Sequence, residues 1–400
     1  MTPPQLPQEI IDKIIDQFSE TARWKKDGPP NKRVLASLSM VARAWRGRSQ
    51  KHLFSIINFP KLPPTNIAET DFYELHPVFS LTRDLDIDGY WMALLQFEPT
   101  TIAFFSGFRN LEFLSLTNWY LGRFSAEQLS NYFGHLGKTV SHLKLEGNAS
   151  SESLIYLTSM LPRLLLLEIS ITPCLDGEAG GTISREELPT MGSFQGCLYL
   201  WGLSKQQNDF LVFLSSASPT FDTICIDSCE TGDGVGKLLG SSAASLESLE
   251  LYVDGEDLGG EFQNSGGPDS VLTFCHPVNP ISLSEFTQLR EVCISHPWPE
   301  STASLLQTIC SSYLKKFMVH FRLWSYGRVI RAEDADMWMK ADSELREAYD
   351  LWIEHVLGTI EVTFRVPGVE RSGYSLEGYQ SDLKRFFPQF TEKVAVAIVC

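Results

Sequence analysis

The sequence predicts an α/β repeat protein: a small three-helix unit over residues 1–57, then an irregular, curved array of strand–helix turns over 58–400. Three observations lead there. Apolar residues recur at helical spacing through the first fifty or so residues. Beyond residue 80 a short strand phrase, apolar-x-x-apolar-x-apolar, returns many times. The charge divides at the same place: residues 1–60 carry ten Lys/Arg against five Asp/Glu, and the remainder carries 23 against 44.

The head comes first. Pro7 suits the first turn of a helix, where its missing N–H costs nothing. Ile10, Ile11, Ile14, Ile15 and Phe18 follow at helical spacing. At about 100° per residue they span roughly 140° of the helix surface. A core of this size can cover half of that stripe. A polar stretch, "SETARWKKDGPPNK", then breaks the pattern, and Gly28-Pro29-Pro30 cannot continue a helix. Val34, Leu38, Val41 and Trp45 form a second stripe, and Leu53, Phe54, Ile56 and Ile57 close the segment. A unit this small buries little of its surface, so apolar residues left over mark a docking site, or a face that packs on the body.

The residues also carry a resemblance. Leu6-Pro7-x-Glu9-Ile10, then Ile14-Ile15-Asp16, then "LASLSMVARAWRGRSQKHLF" resembles an F-box, in the form common among fungal F-box proteins. Two features depart from that pattern: Ala42 stands where a Cys is usual, and the loop from Trp24 to Lys32 is longer. The resemblance implies that the head binds the Skp-family adaptor and cullin core of an SCF ubiquitin ligase. Carried over by position, it implies that Leu6, Pro7, Ile10, Ile14, Leu38, Val41 and Trp45 form the adaptor contact or its supporting core. Arg43, Arg46, Arg48 and Lys51 would form a basic rim that steers an acidic partner.

In the body the strand phrase reads Leu111/Leu114/Leu116, Val140/Leu143/Leu145 and Leu164/Leu167/Ile169. It continues as Phe221/Ile224/Ile226, Leu246/Leu249/Leu251, Leu289/Val292/Ile294 and Leu314/Phe317/Val319. Leu85/Ile87 and Leu198/Leu200 are copies without the first apolar residue. Most copies stand 24 to 31 residues apart, near the roughly 20–29 of a leucine-rich repeat. The irregularity resembles the divergent repeats of fungal F-box proteins. Asn148 stands at the turn-forming position of its repeat, and Cys229 at the equivalent place. One step of 43 residues holds the Gly-rich acidic run "VDGEDLGGEFQNSGGPD", read as an exposed loop. Leu345, Tyr349, Trp352 and Val356 predict a helix ending at Gly358, and "TIEVTFRV" and "EKVAVAIVC" predict closing strands.

Strand alternation names the side chains on the concave face. They are Phe113, Ser115, His142, Lys144, Glu146, Glu168, Tyr199, Trp201, Asp227, Glu250, Tyr252, Glu291, Met318 and His320, with Asp84, Asp86 and Asp88 at the first copy. Acids outnumber bases along this strip, so the expected protein target presents basic or aromatic groups. Tyr199, Trp201 and Tyr252 are the natural anchors of such a surface.

No catalytic or cofactor motif is found. "TGDGVGKLLG" at 231–240 lacks both the first Gly and the hydroxyl residue of a phosphate loop, and reads as a turn between repeats. Cys275, His276, Cys293 and His296 lack paired Cys-x-x-Cys elements, so no metal is expected. The eight cysteines suggest reduced thiols in cytoplasm or nucleus. No export signal is read at the N-terminus, Ala397 stands where prenylation needs a Cys, and the sequon at Asn148 is read as a repeat position. A net charge of −16 gives nucleic-acid binding no support, and no stretch is apolar enough for a membrane span. The residues alone give a small helical docking unit and a repeat binding surface; the F-box resemblance implies target recognition for a ubiquitin ligase, with catalysis in other subunits. The alternatives are a repeat scaffold with no ligase role, whose head would bury Ile10, Ile14 and Trp45 against residues 58–110; an enzyme with a site in 170–195 or 255–280; and a small molecule held at the concave face.

Overall fold

The computed structural model describes residues 7–20, 32–41, 43–59, 69–90, 98–171, 194–203, 207–228, 233–252, 283–296, 314–322, 359–365 and 396–399, with single positions between 339 and 350 and between 381 and 388.

Three helices open the chain: Gln8–Glu20 (α1), Lys32–Val41 (α2) and Arg43–Leu53 (α3). Ile11 and Ile15 stand one helical turn apart, and with Leu35 they form a separate small core; Leu38, Trp45 and Leu53 pack on it. Only Phe54 and Ser55 separate α3 from the first strand, Ile56–Phe59 (β1). The anticipated boundary after residue 57 therefore falls inside a strand, because Ile56 and Ile57 pair with the next strand instead of closing the helical unit.

The body is an α/β structure with one parallel sheet. Its further strands are Asp84–Asp88 (β2), Phe113–Tyr120 (β3), His142–Asn148 (β4), Leu166–Ile171 (β5), Gln195–Leu203 (β6) and Thr220–Ser228 (β7), followed by Ser248–Tyr252 (β8), Glu291–His296 (β9), Lys316–Arg322 (β10), Thr359–Arg365 (β11) and Val396–Val399 (β12). Among the described residues the strand order across the sheet is the order along the chain, from β1 to β12. Helices Glu69–Phe79 (α4), Glu98–Ser106 (α5), Ala126–Phe133 (α6), Ser151–Ser159 (α7), Asn208–Ser216 (α8) and Asp233–Ser242 (α9) lie between strands. Parallel neighbours need such crossovers.

The middle residues of the nine expected strand phrases are register partners. Leu85, Leu114, Leu143, Leu167, Leu198, Ile224, Leu249, Val292 and Phe317 form one continuous row across β2 to β10. From Leu85 to Val292 each is buried. The row from Ile87 through Leu116, Leu145 and Ile169 runs beside it, and this row and the Leu85-to-Val292 stretch of the first belong to the main core. Leucine side chains stacked at the interstrand spacing of about 4.8 Å exclude water continuously.

Aromatic residues of α4, α5 and α6 pack with the sheet residues in the main core. Phe79 stacks on Phe108 at 4.6 Å, and Phe104, Phe105, Trp119 and Phe133 meet largely edge to face. The buried Trp119 ring donates its N–H to the Ile87 carbonyl at 3.1 Å. At Asn118 (φ 60°) the β3–β4 register shifts, and Gly147 opposite has φ 152° and lies so close to the Trp119 backbone that a Cβ would strike it, so the position needs glycine. Ser125 and Gln128 form a reciprocal capping box at α6, and Ser150 caps α7.

Some expectations need correction or lie outside view. Asp233–Ser242 is helical, so most of the glycine-containing run at 231–240 is not a turn: Val235, Leu238 and Leu239 bury one face, and that outweighs the glycines' low propensity. Asn148 ends β4 and faces Tyr120 across the ladder. Cys229, the Gly-rich acidic loop and the apolar positions of the expected 345–356 helix lie outside the described residues. The two closing strands are present as β11 and β12.

Candidate functional site

Two surfaces carry the expected interaction residues. The first is on the head. The structure divides the residues there into support and surface. Leu38 and Trp45 pack on the Ile11–Ile15–Leu35 cluster, so they hold the helices together. Ile14 is half-buried, and Pro7 is exposed. Ile10 is 45% exposed and Val41 66% exposed. Leu6 lies outside the described residues. Met40, 77% exposed at the end of α2, was not singled out from the sequence, because it falls between the positions of the apolar stripe.

One hydrogen bond brings these exposed residues together. The Gln8 side-chain amide donates to the Ala44 carbonyl at 3.2 Å, which sets the first turn of α1 against the α2–α3 junction. Pro7, Ile10, Met40 and Val41 therefore gather at one end of the unit. The burial of Ile10 that a head packed on the body would require is not observed.

Arg48 is not a steering residue of a rim. Its guanidinium donates two hydrogen bonds of 2.7 Å to the Asp16 carboxylate, and His52 Nε2 lies 2.7 Å from the same group. The pair ties α3 to α1. The Arg48 fork holds the Asp16 carboxyl down at about 2, with His52 adding to the effect. Arg43, Arg46 and Lys51 remain exposed.

The second surface is the sheet face that alternates with the leucine rows. Asp86, Ser115, Lys144, Glu168, Tyr199, Cys225, Glu250, Cys293 and Met318 are successive register partners in one row. Glu146, Trp201, Asp227, Tyr252 and His320 belong to the next row, and Asp84, Phe113, His142 and Glu291 to the one before. The expected strip is thus a physical strip. Two members are withdrawn from it. Asp88 is buried and accepts hydrogen bonds from the Tyr90 N–H and the Asn118 amide. Ser115 is buried as well.

The aromatic anchors lie together. The Tyr199 and Trp201 rings stack at 5.6 Å with planes 11° apart. Asp227 links them in register, paired with Trp201 on one side and with Tyr252 on the other. The Tyr252 hydroxyl donates to Glu250 at 3.2 Å. Lys144 and Glu168 pair at 2.7 Å, so that cation is neutralised within the face. Burial first, then a neighbouring cysteine (Cys197 and Cys293 respectively) and Glu250, pushes the Tyr199 and Tyr252 phenols up. Burial, then the Glu250 carboxylate, pushes the Cys225 thiol well up and the Cys293 thiol up to about 11. Both thiols stay protonated at neutral pH, the wrong state for a nucleophile. The burial of these two cysteines arises from packing across strands, which one strand's sequence does not display.

Among the described residues no cluster of three His, Cys, Asp or Glu could hold a metal ion. None of the described helices is long and apolar enough to cross a membrane. The chain matches no protein-family description, and no curated protein is similar enough to count as a relative.

Proposed function

We propose that this chain is the substrate-recognition subunit of an SCF-type ubiquitin ligase. In this reading residues 7–53 are an F-box that docks on the Skp-family adaptor. The strand array is an irregular leucine-rich-repeat solenoid whose polar face holds a target protein. Catalysis belongs to the cullin-bound partners, and this chain contributes geometry.

One observation carries the reading. The head has its own core in Ile11, Ile15 and Leu35, yet leaves Ile10, Met40 and Val41 exposed at one end. A unit that folds without covering its apolar end presents an anchor patch. The second surface supports it: the Tyr199–Trp201 stack beside Asp227 and Glu250 suits a target segment bearing Lys, Arg or aromatic side chains.

The test is co-purification with the Skp-family adaptor, beside an Ile10→Asp/Val41→Asp variant. Both positions are exposed, so the variant keeps its fold. Binding by the natural chain and its loss in the variant is the expected result. A folded natural chain that fails to bind leaves a repeat scaffold without ligase role.

A further inference from the structure

A cleft of about 400 Å³ opens along the sheet edge where the strands begin. Lys51 reaches it from the last turn of α3, Arg83 and Glu112 from the residues just before β2 and β3, and Lys138 and Arg163 from the turns before β4 and β5. Main-chain bonds fix this placement. The Arg83 and Asp84 N–H groups donate to the Ser55 carbonyl, those of Glu112 and Phe113 to Arg83, and those of Ser141 and His142 to Glu112. The residues before successive strands are thereby held side by side at the strand spacing.

The charge in the cleft is not balanced from within. Glu112, the one carboxylate in its wall among the described residues, pairs with Arg83 at 3.3 Å. Arg163 donates one guanidinium N–H to the Lys138 carbonyl at 2.8 Å, and among the described residues it has no carboxylate partner. Among the described residues neither Lys51 nor Lys138 has a carboxylate partner. Four cations and one anion thus line one concavity, in a chain whose formal net charge is −16. Concentrating one sign of charge in a cleft costs self-repulsion that an anionic ligand relieves.

We propose that this cleft binds a ligand carrying two or more phosphate groups. Guanidinium forks and ammonium groups together match phosphate oxygens, and several phosphates are needed to reach all four cations. Arg83 and Arg163 precede strands that stand three spacings apart, roughly 14 Å at the usual interstrand distance. One phosphate cannot span that. The ligand is either a small polyphosphorylated molecule or a doubly phosphorylated segment of a protein. The wall of the cleft includes none of Ile10, Met40, Val41, Tyr199, Trp201 and Tyr252, and ligand binding would brace the join between head and sheet.

The full chain is titrated by calorimetry at constant ionic strength, set with sodium chloride. The probes are inorganic phosphate, tripolyphosphate, and one serine peptide in doubly phosphorylated and unmodified forms. Tripolyphosphate or the phosphopeptide is expected to bind at least about tenfold more tightly than single phosphate, the scale of one charge-assisted hydrogen bond. Whichever binds more tightly identifies the source. A Lys138→Gln/Arg163→Gln variant, changed only at exposed positions, is expected to lose about tenfold or more in affinity. Failure of both polyphosphate probes to bind, or equal affinity in the variant, overturns the proposal.

Discussion

Arg48 and Asp16 join α3 to α1 through two parallel hydrogen bonds of 2.7 Å, with His52 on the same carboxylate. The pair adds to the small Ile11–Ile15–Leu35 core and to the Gln8–Ala44 hydrogen bond in fixing α1 against α3. Both side chains are about one-third exposed, which limits the pair's net contribution to about 1 kcal/mol.

The Asp16 carboxyl titrates at about 2 in the folded head, against an ordinary 3.8. Its folded value lies below its unfolded one. The pair's stabilisation is therefore complete above about pH 4 and is lost as the pH falls towards 2. In Asp16→Asn this acid-dependent component is absent and the head is less stable at neutral pH. Hydrogen exchange of α1 and α3 amides between pH 5 and 3, extrapolated to a common intrinsic rate, checks both statements.

Leu35 and Met40 lie on the same helix with opposite duties. Leu35→Ala removes a buried member of a three-residue core and is expected to cost about 2–4 kcal/mol. Met40→Ala, at an exposed site, is expected to change stability by less than about 0.5 kcal/mol. Urea unfolding followed through the head separates them. Adaptor binding by Met40→Asp is expected to fall while its unfolding midpoint stays in place.

Gly147→Ala is expected to destabilise the array by more than about 1 kcal/mol, because the new Cβ meets the Trp119 backbone at a φ of 152°. Gly122→Ala, with open space around its Cβ, is the control and is expected to leave the melting temperature nearly unchanged.

Alkylation of Cys225 and Cys293 in the folded chain is expected to be slow at pH 7. The Cys293 rate should climb as the pH approaches its value of about 11, with Cys225 still slower. Iodoacetamide labelling read by mass spectrometry, with a urea-unfolded control, measures each site. Fast labelling of Cys225 at pH 7 would contradict its burial.

The array was legible because its signal is local and repeated. Each strand phrase carries its own alternation, and nine centres from Leu85 to Phe317 proved to be register partners. β1 was missed because "IINF" lacks a phrase of its own and follows a helix after two residues. The division of the head was not readable. Ile10 and Ile11 are adjacent and chemically identical, yet one is exposed and the other buried, since helix phase against two partners decides this. Arg48 was read as a rim charge because its partner stands 32 residues earlier. The basic cleft was invisible for the same reason: its cations come from the end of α3 and from separate connections, and only the strand stacking brings them to one edge.

In the sheet, each strand bonds only to its chain neighbours, and β1 and β12 occupy opposite edges. A pull applied between the two ends therefore loads the strands in series. The array should yield by peeling, one turn after another, in a staircase of small extensions, where a sheet with its end strands side by side would rupture in a single event.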